Sequence, residues 1–109
     1  MEQIKVLLCC GAGMSSGLIA QKARKSAKKR GINASFEARS ESEATQYLSS
    51  IDCLLLGPHF ESYLDTMKRQ AEPYGVPVKV IPKQIYAMID GDALVDLALQ
   101  TVSDNKSEV

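Results

Sequence analysis

The sequence predicts a single α/β domain in which helices cover both faces of a four-stranded parallel sheet. Four short strand candidates alternate along the chain with four longer segments of helical character. This alternation is typical of parallel sheets, because each parallel connection has to cross over the sheet. The chain has 109 residues, enough for one core, and neither a repeat nor a linker divides it. We therefore expect one domain over residues 1–103 and a polar tail at 104–109 that frays.

The first strand and the first helix have the clearest patterns. Residues 4–9 are almost entirely apolar, which is typical of a strand covered on both faces. The segment 15–30 then places Ile19, Ala23 and Ala27 on one helical face at four-residue spacing. Six basic residues lie between positions 22 and 30 of this segment, and a helix favours them near its C-terminus. A buried strand followed by an amphipathic helix is the expected start of a parallel sheet.

The rest of the chain continues the alternation. We expect strands at 33–38, 52–56 and 77–81, and helices at 41–49, 59–72 and 84–102. The third strand ends at the turn signal Gly57-Pro58, and the fourth, rich in branched residues, ends before Pro82. Gly91 can divide the last helix into two pieces. Ligands of such sheets bind beyond the carboxyl ends of the strands, so functional residues are expected in the turns that follow them.

The composition argues against several classes of protein. Thirteen basic residues balance thirteen acidic residues, so the charge gives no reason to expect a nucleic-acid partner. No apolar stretch approaches the ~18 residues of a membrane span, so we expect no direct membrane insertion. The N-terminus lacks a signal-peptide pattern, and three cysteines do not suit a disulfide framework, so we expect a cytoplasmic protein. A single histidine argues against a zinc site.

The junction after the first strand has the residues of an anion site. Cys10 stands where the strand ends, and the small residues after it let backbone N–H groups converge on an anion. A helix N-terminus at this point would bind an anion and lower the pKa of a thiol. Cys10 could therefore serve as both nucleophile and phosphate carrier, without a metal or other cofactor. The predicted phosphate-binding residues are Gly11, Ala12, Gly13, Met14, Ser15 and Ser16.

Several residues near this junction have competing interpretations. A cysteine before a glycine can also simply end a strand, and the spacing alone leaves both interpretations open. Cys9 points away from Cys10, because side chains alternate across a strand, and Cys10 lies nearer the loop. His59 could pair with a thiolate, but a solvated residue that opens a helix is the simpler interpretation. The basic face of helix 15–30 could attract an acidic partner, although solvation is the commoner explanation. Cys53 is expected to be a buried core thiol.

The loop resembles a motif of a known family. Residues 10–16, Cys-Gly-Ala-Gly-Met-Ser-Ser, resemble the Cys-x-Ala-Gly-Met-Ser-(Ser/Thr) loop of the enzyme IIB components of the sugar phosphotransferase system. The similarity is greatest to the lactose/cellobiose (N,N′-diacetylchitobiose) class. Residues 52–58 resemble the third strand and Gly-Pro turn of that class, and residues 86–91 resemble its Tyr-Gly-x-x-Asp-Gly segment.

The resemblance implies both a fold and a function. It implies a flavodoxin-like sheet, similar to that of low-molecular-weight phosphatases, and a phosphotransferase that forms a phosphocysteine at Cys10. The thiolate would accept phosphate from a phosphohistidine of enzyme IIA. It would then pass the phosphate to a sugar that enters through the membrane component IIC. The implied sugars are β-linked disaccharides such as cellobiose, chitobiose or lactose.

Two alternatives share this fold class. A cysteine-dependent hydrolase like the low-molecular-weight phosphatases has an arginine six residues after its cysteine, which clamps phosphate with two hydrogen bonds. Here Ser16 stands six residues after Cys10, so hydrolysis is disfavoured. A noncatalytic flavin- or anion-binding module would use aromatic side chains to stack on a flavin. The chain has six Tyr and Phe residues and no Trp, which disfavours that alternative.

Overall fold

The computed structural model describes residues 3–9, 14–39 and 41–107, and it has four parallel strands with helices on both faces. The strands are β1 (Ile4–Cys9), β2 (Ala34–Arg39), β3 (Cys53–Leu56) and β4 (Val78–Val80). The helices are α1 (Met14–Lys29), α2 (Glu41–Ala44), α3 (Leu64–Ala71), α4 (Lys83–Met88) and α5 (Gly91–Ser107). The predicted fold class is confirmed, and each strand end lies within one residue of its predicted position.

The helical segments differ more from the prediction. The expected helix at 41–49 is the short α2 followed by a 3₁₀ segment, Thr45–Ser50. The expected helix at 59–72 is α3 between the 3₁₀ segments Pro58–Tyr63 and Glu72–Tyr74. Pro58 begins the first of these two segments, and Pro73 lies in the second, where it cannot donate the hydrogen bond that would continue α3.

The last predicted helix is divided into α4 and α5, and α5 continues beyond the predicted end. The division falls at Ile89–Asp90, directly before Gly91. Ile89 ends α4 in the left-handed conformation, with φ of 50°. The carboxylate of Asp90 then accepts a hydrogen bond from the backbone N–H of Ala93 at 3.1 Å and so caps α5. Because α5 runs to Ser107, the first part of the tail at 104–109 is helical, and its fraying stays a prediction.

The strand order is β2-β1-β3-β4, and every pairing is parallel. The chain therefore places β2 on one side of β1 and then crosses to the other side to form β3 and β4. At the end of β1, Cys9 is in register with Arg39 of β2 and with Leu56 of β3. This reversal of direction opens a crevice beyond the carboxyl ends of β1 and β3, where ligands of such sheets bind.

The two faces of the sheet bury separate apolar cores. Along β1, Val6 and Leu8 face the core formed with α1 and α5. Leu7 and Cys9 face the opposite core, formed with α2, α3 and the 3₁₀ segment Thr45–Ser50. All four side chains are at most 2% exposed, which explains why β1 is uniformly apolar.

Gly91 allows α5 to begin directly against the backbone of α1. A Cβ atom added at this position would lie 2.5 Å from both the carbonyl carbon and the carbonyl oxygen of Lys22. Small residues on the facing side of α1 (Ala20, Ala23 and Ala27) are fully buried beneath the same contact. The two helices therefore depend on the missing side chain of Gly91 for their close approach.

We expect the substitution Gly91→Ala to lower the free energy of unfolding by ~1–3 kcal/mol, because the backbone of Lys22 cannot move away without shifting α1. The matched control is Gly17→Ala in α1, where an added Cβ meets no heavy atom within 4 Å. That substitution should leave stability unchanged or raise it by ~0.5–1 kcal/mol. Urea unfolding followed by circular dichroism measures both changes, and equal effects would contradict the proposed close contact.

Candidate functional site

The candidate site lies at the carboxyl edge of the sheet, where the four strands end. The ladder between β1 and β3 extends one residue beyond β3, since the N–H of Gly57 donates to the carbonyl of Cys9 at 2.9 Å. On the next strand, the N–H of Ile81 donates to the carbonyl of Leu56 at 2.7 Å. These bonds hold the ends of β1, β3 and β4 together at the point where the connection to α1 leaves β1.

The predicted phosphate-binding residues fall into two groups. Cys10, Gly11, Ala12 and Gly13 lie outside the described residues, between the last residue of β1 and the first residue of α1. The backbone of residues 14–16 forms the first turn of α1, so a helix N-terminus does follow the loop, as the sequence predicts. The roles of all seven residues stay predictions.

The other two cysteines are buried in opposite cores. Cys9 is 1% exposed and lies among the apolar residues on the α2 and α3 side of the sheet. Cys53 is 0% exposed on the α1 and α5 side, so the expectation of a buried core thiol is confirmed. Burial raises the pKa of the Cys53 thiol to about 12, and the negative charge of the neighbouring Asp52 acts in the same direction. Both positions disfavour a nucleophilic thiolate.

Arg39 is a cation at this edge that the sequence analysis did not single out. It ends β2 beside Cys9, and its Nη2 donates to the carboxylate of Glu37 at 3.1 Å. Its guanidinium carbon lies 5.6 Å from the centre of the Tyr47 ring, within the range of a cation–π contact. Its Nε atom is buried without a hydrogen-bond partner among the residues that the structure describes. The pairing register was needed to find it, because Arg39 is remote from the loop in sequence.

A groove of about 440 Å³ lies at the same edge, between the segment after β3 and α4. Its lining includes Pro58, Glu61, Lys83 and Tyr86. Tyr86 also packs against the core beneath α1 and α5. His59 belongs to the 3₁₀ segment Pro58–Tyr63, and its role stays a prediction.

Within residues 3–9, 14–39 and 41–107, no helix is both long and apolar enough to cross a lipid bilayer. The same residues contain no group of three or more His, Cys, Asp or Glu side chains placed to hold a metal ion.

Comparison with known proteins gives consistent matches over most of the chain. The model of the lactose/cellobiose-specific IIB subunit family of the phosphotransferase system matches residues 5–97. The oligo-beta-mannoside-specific EIIB component of Bacillus subtilis is 30% identical over 95 residues, which is 87% of this chain and 92% of that protein. The lactose-specific EIICB component of Lacticaseibacillus casei is 27% identical over 95% of this chain, which matches 18% of that longer protein.

A solved structure also has the same fold. The lactose-specific IIB domain from Streptococcus pneumoniae superimposes with a TM-score of 0.84 over 92% of this chain and 98% of that chain. Its sequence is 19% identical, so the likeness concerns the fold.

We expect alkylation of the folded protein by iodoacetamide to modify Cys10 and to leave Cys9 and Cys53 intact. The reason is that alkylation requires an accessible thiolate, whereas both other thiols are buried, and burial raises the pKa of the Cys53 thiol to about 12. Peptide mass mapping after a timed reaction at neutral pH measures the modification at each site. The same reaction in concentrated urea is the control and should modify all three cysteines. Rapid labelling of Cys53 in the folded protein would contradict this assignment.

Proposed function

The chain belongs to the lactose/cellobiose-specific IIB family of the sugar phosphotransferase system, and we propose that it is a phosphocarrier whose phosphate is held by Cys10. The observation that carries this proposal is the position of the other two thiols. Cys9 and Cys53 are buried in opposite cores, whereas Cys10 is the next residue in sequence after the end of β1, which borders the crevice between β1 and β3. A thiol that exchanges phosphate with other molecules has to be reached by them, and this edge is where such sheets bind ligands.

The proposed reaction has two transfers. In the first, the Cys10 thiolate attacks the phosphorus of a phosphohistidine on enzyme IIA. The S–P bond forms, the P–N bond breaks, and the electron pair returns to the imidazole nitrogen. In the second, a hydroxyl oxygen of the sugar attacks the phosphorus. The O–P bond forms, the S–P bond breaks, the thiolate is restored, and the hydroxyl proton leaves to a base or to water.

The start of α1 supports this chemistry electrostatically. The first turn of α1 contains no acidic residue, so nothing there opposes an anion at the helix N-terminus. The helix has 16 residues, and its aligned peptide dipoles favour both a thiolate and a phosphoryl group at this end. Backbone N–H groups of Gly11, Ala12 and Gly13, with the hydroxyls of Ser15 and Ser16, would complete the anion site. No metal or other cofactor takes part in the proposed reaction.

The proposed partners are enzyme IIA as donor and a membrane component IIC with its sugar as acceptor. The name of the Lacticaseibacillus casei relative joins IIC and IIB in one protein, which supports a functional link between the two. We propose a cytoplasmic location, with contact to the membrane through IIC. The acceptor is proposed to be a β-linked disaccharide such as cellobiose, chitobiose or lactose. The relatives are named for different sugars, so we attribute the choice among them to IIC.

The decisive test compares three matched variants: Cys9→Ala, Cys10→Ala and Cys53→Ala. Incubation with phosphorylated enzyme IIA should add one phosphate to the wild type and to the Cys9 and Cys53 variants. The Cys10 variant should gain none, because it lacks the attacking sulfur atom. Intact mass measures the phosphate, and circular dichroism checks that each variant is folded. Phosphate on Cys9, or steady release of inorganic phosphate without a sugar, would contradict a phosphocarrier role for Cys10.

A second test asks whether the loop holds phosphate mainly through its backbone. We expect Ser16→Ala to slow transfer only by the loss of one hydrogen bond, ~0.5–1.5 kcal/mol, since the other donors remain. Gly13→Val should slow it much more, because a branched side chain disturbs several converging N–H groups together. Single-turnover transfer from enzyme IIA measures both effects in folded variants. Normal transfer by Gly13→Val with loss of transfer by Ser16→Ala would show that side chains hold the phosphate.

A further inference from the structure

The charge of the chain is unevenly distributed although its formal net charge is zero. Residues 14–30, which comprise α1 and the residue after it, contain six basic and no acidic residues. The rest of the chain contains seven basic and thirteen acidic residues. Positive charge is therefore concentrated on one helix, and negative charge predominates on the rest of the chain. Such an uneven distribution steers charged partners toward one side of the molecule.

The basic residues of this segment divide into those with and those without partners. The Nε of Arg24 donates to the carbonyl of Phe36 at 2.7 Å, and Arg30 forms an ion pair with Asp96 at 2.7 Å. The four lysines of this segment are exposed, and none of them belongs to a salt bridge among the described residues. They are Lys22, Lys25, Lys28 and Lys29. Since both arginines already bond to other parts of the protein, the lysines provide the positive charge that remains available to a partner.

Three of these lysines line one side of a cleft of about 470 Å³. We call it the basic cleft; it is lined by Lys22, Lys25, Ser26 and Lys29 of α1 and by residues 88–92. Residues 88–92 form the opposite wall. They include Ile89, which has a left-handed backbone conformation, and Gly91, which lies directly against the backbone of α1. Met88 stands at this wall and is 77% exposed, the highest exposure among the large apolar side chains that the structure describes.

The two acidic residues of the basic cleft are already engaged within the protein. The carboxylate of Asp90 caps α5 by accepting from the N–H of Ala93. The carboxylate of Asp92 accepts a hydrogen bond from the buried Ser26 hydroxyl, and its carbonyl accepts from Arg30 at 3.5 Å. The lysines opposite them form no such bonds among the described residues. The three lysines of the cleft outnumber these two carboxylates, so the cleft carries a small net positive charge beside one exposed thioether.

We propose that the basic cleft docks an acidic, extended segment of a partner protein. Along the helix axis, Lys25 lies about 4.5 Å from Lys22 and about 6 Å from Lys29. Alternate side chains of an extended chain lie about 6.6–6.8 Å apart on one side, so successive carboxylates can meet successive lysines. Met88 adapts to varied apolar surfaces and would contact an apolar residue in that segment. Lys22, the cleft lysine nearest the start of α1, lies about 12 Å from Met14 along the helix axis, so a segment bound in the cleft lies along the second half of α1.

The test uses a fluorescein-labelled decapeptide in which glutamates flank a central leucine, titrated against the full chain and followed by fluorescence anisotropy. The test compares two double variants that change the net charge by the same amount. K25E/K29E changes two lysines inside the cleft, and K28E/K68E changes two lysines outside it. Lys28 is on the same helix, and Lys68 is in α3 on the opposite face of the sheet. We expect K25E/K29E to weaken binding at least about tenfold, since two attractions become repulsions, and K28E/K68E to weaken it about twofold or less.

Two further measurements sharpen the test. Met88→Ser should weaken binding about two- to threefold without changing its dependence on salt, because an apolar contact is not screened. Vesicles with and without anionic phosphatidylglycerol examine a lipid surface as the alternative partner. Equal weakening by the two double variants, absence of peptide binding, or binding to anionic vesicles but not to the peptide would each overturn the proposal. Neither the peptide nor the variants involve Cys10, so the outcome is independent of phosphate transfer.

Discussion

Burial of β1 on both faces is the constraint on which the rest of the structure depends. Val6 and Leu8 need cover on one face, and Leu7 and Cys9 need it on the other, so a single helical layer cannot satisfy this strand. Parallel crossovers have one preferred hand, and the chain therefore covers the second face only by reversing its direction across the sheet. That reversal places β2 and β3 on opposite sides of β1 and leaves the crevice beyond it. The position of the candidate site thus follows from how the core is covered.

The sequence predicts those parts of the fold whose determinants are local. The strands were found because short apolar or branched runs end at Gly57-Pro58 or before Pro82, and these signals lie within a few residues of the strand. The helices were predicted less well, since parts of the expected helices 41–49 and 59–72 are 3₁₀ segments. Local composition does not distinguish these two kinds of turn, which differ by one residue in their hydrogen-bond spacing.

The candidate site was predictable in part for the same reason. The motif of residues 10–16 is contiguous, so it can be recognised without knowing the fold. Arg39 comes beside the end of β1 only through strand register, and Met88 comes beside Lys25 only through the packing of α5 on α1. Such neighbours depend on contacts between residues far apart in the chain. The burial of Cys9 and Cys53 was only partly predictable. Apolar runs predict that both thiols are buried, but not which of the two cores contains each thiol.

The two-residue link at Ile89 and Asp90 determines which side of α5 faces the sheet. A branched residue in the left-handed region is strained, and here its side chain packs against the core of α1 and α5, which offsets that strain. Only Ile89 and Asp90 separate α4 from α5, so the connection is too short to absorb a change in its length. One residue more or fewer would turn α5 by about 100° and move Leu94, Val95 and Ala98 away from the sheet. Insertions and deletions are thus excluded at this link by the phase of the helix that follows it, whatever residues they contain.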